Sequence, residues 1–131
     1  MEPKSGPIVL LVDDDQLLSS IIARRFAAES FLVEQAGSAE EALQMLQKEG
    51  KPDLLLLDIH LPGMNGFDFL EKLRATPGME HLPVIVLSNF VDPEDVERSK
   101  QFGVLQHIQK VSMTPAEVVE TVKKTIQEHR K

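Results

Sequence analysis

Leu54, Leu55, Leu56 and Leu57 form an unbroken apolar run that ends abruptly at Asp58. A strand with one wet face alternates apolar and polar side chains, so a short run without alternation reads as a strand buried on both faces. Such a strand needs a covering layer on each side of its sheet, and the rest of the chain offers the material. Short apolar runs at 8–12, 31–35, 83–87 and, more weakly, 104–109 alternate with amphipathic stretches. Leu17, Leu18, Ile21, Ile22 and Phe26 recur at helical spacing. Ser38 with Glu41 makes a capping box for a helix that turns Ala42, Leu43, Met45 and Leu46 inward and stops at Gly50. Pro62-Gly63 and Asn65-Gly66 mark a loop before a short helix over 67–74. Asp92-Pro93-Glu94 places an N-cap, a first-position Pro and a first-turn acid at the start of a helix that reaches 102 and ends at Gly103. Thr114-Pro115-Ala116-Glu117 repeats that signature before Val118, Val119, Val122 and Ile126. Five strands alternating with five helices predict an α/β fold, a (βα)5 doubly wound parallel sheet.

A chain of 131 residues suits one domain, expected over 1–131 with its core at about 7–127 and polar ends at 1–6 and 128–131. The net charge of −7 argues against a nucleic-acid partner, which calls for a basic face. The chain has no cysteine, which excludes a disulfide framework, a thiolate zinc site and a Cys nucleophile. No leader pattern opens the sequence, and every apolar run falls far short of the roughly 18 residues of a membrane span. The expectation is a cytoplasmic protein without membrane contact, and without an output domain after the last helix.

In a parallel sheet the carboxyl ends of the strands share one edge, where ligands bind. The residues that reach that edge are Asp13, Asp14 and Asp15 after the first strand, Asp58 after the third, Ser88 after the fourth and Lys110 after the fifth. Clustered carboxylates repel one another unless a cation joins them. Oxygen ligands without His or Cys favour Mg²⁺ over zinc, with Mn²⁺ a workable substitute. Lys110 adds a point charge and Ser88 a hydroxyl donor. A nucleophilic carboxylate, a divalent cation, an ammonium and a hydroxyl together describe phosphoryl transfer to a carboxylate.

VDDD (12–15), LLLLDIHLPGMNG (54–66), PVIVLS (83–88) and FGVLQHIQK (102–110) resemble, in order and over nearly the whole length, the receiver domain of bacterial response regulators, especially the stand-alone kind. The resemblance implies a flavodoxin-like fold with strand order 2-1-3-4-5. It implies Asp58 as phosphoacceptor; Asp13, Asp14, Asp58 and the backbone carbonyl of His60 as metal ligands; and Ser88 and Lys110 as partners of the phosphoryl group. Ser88 and His107 fall at its switch positions. It also implies a histidine kinase or histidine phosphotransfer protein as donor, and an unidentified downstream protein that reads the face of helix four, strand five and helix five. A monomer or weak dimer is expected, catalysing only its own phosphorylation and dephosphorylation.

Three positions depart from the family pattern. Val111 follows Lys110 where a cis Pro is usual, so a trans bond is expected, because a cis bond before a non-Pro residue costs about 2.5–4 kcal/mol. His107 stands where Tyr or Phe is usual, and Asn89 stands where a small residue is common. Simpler roles compete at several places. Asp15 reads as the N-cap or a first-turn acid of the first helix; the side chain of His60 reads as exposed, and His81 and His129 as solvated; Phe67, Phe69 and Leu70 read as packing. Two other functions compete with the switch. One is a degenerate receiver acting as a phosphorylation-independent interaction module. The other is an aspartate-nucleophile phosphatase of the haloacid-dehalogenase type, whose DxDx(T/V) nucleophile motif follows the first strand; here that position reads VDDDQ (12–16), the candidate nucleophile follows the third strand and no cap domain is expected.

Overall fold

The computed structural model describes residues 6–89 and 91–129, so the ends at 1–5 and 130–131 lie outside the described residues. In chain order these form β1 (Ile8–Val12), α1 (Gln16–Ala28), β2 (Leu32–Ala36), α2 (Ala39–Glu49), β3 (Leu54–Asp58), α3 (Gly66–Ala75), β4 (Val84–Ser88), α4 (Pro93–Lys100), β5 (Gln106–Gln109) and α5 (Pro115–His129). All five strands are parallel in the order β2-β1-β3-β4-β5, the flavodoxin-like arrangement.

Strand parity builds two cores. Successive side chains of a strand point to opposite faces. Leu10, Val12, Leu55, Leu57, Val84 and Val86 therefore pack with Ala42 and Leu46 of α2 and Phe69, Leu70 and Leu73 of α3. Val9, Leu11, Leu54, Leu56, Ile85, Leu87 and Ile108 pack with Ile22 and Phe26 of α1 and Val118, Val119, Val122 and Ile126 of α5. The four leucines of β3 divide between the two cores, which is why that run shows no alternation. Parity also assigns the strand ends: Asp13, Asp58 and Lys110 fall on the α1/α5 side, Ser88 and His107 on the other.

Local chemistry sets the helix ends. Asp15 accepts the Leu18 N–H at 3.0 Å and caps α1. Asn65 Oδ1 accepts from Phe67 and Asp68, so α3 starts at Gly66, one residue before expectation. A Cβ on Gly66 would lie 2.4 Å from the Ile59 Cα, so only glycine lets the loop after β3 fold back this tightly. Thr114 and Glu117 form the reciprocal capping box of α5. At α2, Glu41 accepts instead from Gly37 N, one residue before the Ser38 cap.

Several boundaries differ from the sequence reading. The second strand begins at Leu32 because Phe31 closes α1: Phe31 N donates to Phe26 O and Ser30 N to Ala27 O, both at 3.0 Å. This pair of hydrogen bonds requires a left-handed residue between helix and exit, here Ser30 at φ 71°. The Phe26 and Phe31 rings cover it edge to face, 4.9 Å apart. On α1, Leu17 and Ile21 are exposed, while Ser19, Ile22 and Phe26 are buried. The apolar face is thus rotated from the one expected. β5 is paired only over Gln106–Gln109, although Leu105 N still donates to Val84 O. α4 ends at Lys100, and α5 runs through Glu128 and His129, which were expected in a polar tail.

Candidate functional site

β1 delivers Asp13 to the carboxyl edge of the sheet, where its N–H donates to Ala36 O of β2 at 3.0 Å. Asp13 is 2% exposed, and its Oδ1 accepts the Asp15 N–H at 3.0 Å, so the cap of α1 also orients this carboxylate. β3 delivers Asp58, 4% exposed, whose Oδ1 accepts the His60 N–H at 2.8 Å. β5 delivers Lys110 across the intervening β4. Its ammonium donates to Asp58 Oδ2 at 2.9 Å and lies 2.8 Å from Asp13 Oδ2. The contact with Asp13 lacks hydrogen-bond alignment, so charge rather than a directed bond carries it, and Asp13 Oδ2 remains a buried oxygen without a directed donor.

The electrostatics follow from burial. Desolvation pushes the Asp13 carboxyl above its usual range, and the Lys110 ammonium and the Asp15 N–H counter this only in part. Burial alone would lower Lys110, but the two carboxylates of Asp13 and Asp58 beside it outweigh burial and raise it, so it stays an ammonium.

Asp14 is exposed, and one oxygen each from Asp13, Asp14 and Asp58 lie within 4.8 Å of one another. Three carboxylates against one ammonium formally leave two negative charges uncompensated. The donor set is all oxygen, one side is open to solvent, and one buried carboxylate oxygen is free of directed donors. These properties suit a hard divalent cation that keeps part of its water.

Ser88 is buried at the end of β4, one register step beyond Asp58, which pairs with Leu87. Asn89 is exposed, and its carbonyl accepts from Gln109 Nε2 at 3.2 Å, which ties the start of the β4–α4 loop to β5. The Lys110–Val111 bond is trans, as expected, and the chain turns through a short 3₁₀ segment, Lys110–Ser112, with Val111 82% exposed. The His60 side chain is exposed, as expected, with Nε2 3.8 Å from Asp95 Oδ2.

His107 does not join the carboxylates. Its Nε2 lies 2.6 Å from Ser99 Oγ of α4. Sequence reading missed Ser99 and Asp95. The available signal for Ser99 was a hydroxyl three residues after Val96 and three before Phe102, at the spacing of an inward-facing helix position.

The chain has relatives of known family. The family described as response regulator receiver domain matches residues 9–123. Sporulation initiation phosphotransferase F of Bacillus subtilis is 31% identical over 102 residues, covering 78% of this chain and 80% of that protein. The DNA-binding response regulator MtrA of Mycobacterium tuberculosis is 36% identical over 115 residues, 88% of this chain but only 48% of MtrA. Among solved structures, a CheY-like receiver domain protein of Methanospirillum hungatei superposes with a TM-score of 0.84 at 29% identity, covering 96% of this chain and 98% of that one. The non-phosphorylated HemR receiver domain of Leptospira biflexa gives 0.82 at 27% identity, covering 92% and 94%. With the strand order, the acidic edge and the length of the match in accord, the chain belongs to the receiver-domain family of two-component response regulators.

Proposed function

We propose that this receiver accepts a phosphoryl group on Asp58 from a phosphohistidine donor and converts it into a changed protein-binding face. The observation that carries the reading is the Lys110 ammonium set between two buried carboxylates, Asp13 and Asp58, beside an open acidic rim. In the transfer, a carboxylate oxygen of Asp58 forms the new P–O bond while the P–N bond of the donor breaks, its electron pair staying with the imidazole. Hydrolysis later returns inorganic phosphate and the free carboxylate, so the chain catalyses only its own modification. The His60 N–H and Lys110 each hold one Asp58 oxygen and fix the carboxylate for in-line attack. Asp13, Asp14, Asp58 and the His60 carbonyl would hold Mg²⁺, which when bound neutralises phosphoryl oxygens.

Formation of the acyl phosphate removes the Asp58 carboxylate charge that Lys110 now faces, so the ammonium turns to a phosphoryl oxygen, and the Ser88 hydroxyl donates to another. Movement at Ser88 pulls the loop toward α4, and repacking of His107 changes the face made by α4, β5 and α5. The donor approaches the open rim, where Leu17, two residues after Asp15, and Val111, next to Lys110, are 74% and 82% exposed and offer apolar side chains to a helical histidine protein. Among the described residues no helix is long and apolar enough to cross a membrane, consistent with work in the cytoplasm.

Incubation with Mg²⁺ and acetyl phosphate, followed by intact-mass measurement, tests the reading. One added phosphoryl group that requires both Mg²⁺ and Asp58 is expected. No addition to a folded, Mg²⁺-binding protein, with protein donors failing as well, would favour the phosphorylation-independent interaction module.

A further inference from the structure

We infer that α4 is seated on the sheet by a proton-sensitive latch, in which neutral His107 donates from Nε2 to Ser99, and that a second proton on the ring releases the helix. The other four helices bury two or more apolar side chains or alanines each, whereas the eight-residue α4 buries only Ser99. Besides half-buried Val96 and the Arg98 guanidinium 4.2 Å over the Phe67 ring, α4 is seated by the Ser99–His107 contact, where its one buried side chain lies.

The hydrogen bonds fix the direction of that contact. Ser99 Oγ lies 2.8 Å from Val96 O and 2.6 Å from His107 Nε2. A hydroxyl has one proton, and a carbonyl oxygen can only accept, so the Ser99 proton goes to Val96. Ser99 Oγ must then accept from His107, which places the ring proton on Nε2 and leaves Nδ1 as a lone pair. Nδ1 is buried and has no hydrogen-bond partner.

A second proton has nowhere to go but Nδ1. It would create a half-buried imidazolium whose buried Nδ1–H meets no acceptor. The charged groups around the ring do not remedy this. Asp95 on α4 favours the cation, but its carboxylate sits 3.8 Å from His60 Nε2 on another element. Val86, opposite His107 on β4, is buried and apolar. Burial outweighs Asp95, and the imidazole is held below its ordinary value near 6.5. A base with a lowered value in the docked state contributes its full share above the ordinary value. That share falls as pH drops below the ordinary value, and the fall ends once the docked value is passed. The ring therefore leaves its seat on acidification and removes the partner of Ser99, the one buried side chain of α4. The latch operates in the unphosphorylated chain, so it stands apart from the chemistry at Asp58.

Nitrogen-15 NMR of the His107 ring, with amide hydrogen exchange of residues 96–100 across the neutral to mildly acidic range, tests this. Exchange is corrected for its intrinsic pH dependence, and α2 serves as reference. The expected results are an Nε2–H tautomer at neutral pH and α4 opening that increases by up to about tenfold per pH unit below the ordinary imidazole value, with α2 flat. His107→Phe should abolish that pH dependence; should it fail to fold, His107→Gln gives the same readout. Ser99→Ala should open α4 at neutral pH and return the ring toward ordinary titration. An Nδ1–H tautomer, α4 exchange indifferent to pH, or a pH dependence that survives loss of the imidazole would each overturn the latch.

Discussion

Lys110→Met isolates the electrostatics of the site, because it keeps most of the side-chain volume and removes the charge. The ammonium lies 2.8 Å from Asp13 and 2.9 Å from Asp58, and the side chains of all three residues are at most 6% exposed. At an effective dielectric constant of ~20, each contact carries roughly 6 kcal/mol of attraction before desolvation is subtracted. Removing one member of a buried ionic cluster costs a net of about 3–5 kcal/mol, since the remaining charges stay buried and unpaired. For a domain of this size that corresponds to a fall of roughly 10–20 °C in Tm. The solvent-exposed pair Lys100–Glu97 is the control: Lys100→Met should change stability by less than about 1 kcal/mol. The deficit has a sign in pH. Burial already raises Asp13, and without Lys110 it rises further. A carboxyl raised in the folded state costs stability as pH climbs through its folded value, so the variant should recover relative to wild type in acid. Mg²⁺ should stabilise the variant more than the wild type by supplying the missing positive charge. Urea unfolding followed by circular dichroism, at neutral and acidic pH with and without Mg²⁺, measures all three effects. A Lys110→Met protein within about 1 kcal/mol of wild type at neutral pH would refute the assignment of Lys110 as the counterion of this cluster.

Four further outcomes follow from the same coordinates. Asp13→Asn relieves a desolvated carboxylate while Lys110 keeps Asp58, so stability should hold or rise by up to ~1 kcal/mol, and Mg²⁺ affinity by calorimetry should fall at least about tenfold. Leu17→Asp lies on the exposed side of α1, so stability should stay within about 0.5 kcal/mol; labelling by acetyl phosphate should be unchanged, and transfer from a protein donor slowed. Ser30→Gly relieves a non-glycine residue at positive φ and should raise stability in urea by roughly 1 kcal/mol. Gly66→Ala drives a Cβ into the backbone of Ile59 and should cost about 1–3 kcal/mol in the same assay.

The sheet and its acidic edge were legible in the sequence because both follow from local rules. Unbroken apolar runs define buried strands, parallel strands gather their carboxyl ends, and Asp13, Asp14, Asp58 and Lys110 then meet whatever the loops do. Helix caps were equally legible: Asp15, Ser38, Asp92 and Thr114 all cap as expected. Where a pattern admitted two readings, only tertiary contact decided. Five apolar residues crowd α1, more than one face can bury, and the packing against α5 and the sheet turns Leu17 and Ile21 outward while burying Ser19. Phe31 has the composition of a strand but serves as the closing contact of α1. β5, an edge strand with Ile108 as its one buried residue, is too polar for apolar content to mark its start. The Ser99–His107 bond joins α4 to β5, and although the spacing of Ser99 marks an inward-facing helix position, nothing in the sequence names its partner.

The proposed function requires Asp58 to hold the phosphoryl group as an acyl phosphate. Borohydride reduction converts an acyl phosphate of aspartate to homoserine, whereas phosphoserine and phosphohistidine do not react this way. Labelling with phosphoramidate and Mg²⁺, reduction and peptide mass spectrometry should therefore place homoserine at position 58 alone, and a chelator should abolish it. Homoserine at Asp13 or Asp14, a phosphate retained on Ser88, or no reducible product from a folded, Mg²⁺-loaded chain would rule out Asp58 as the phosphoacceptor.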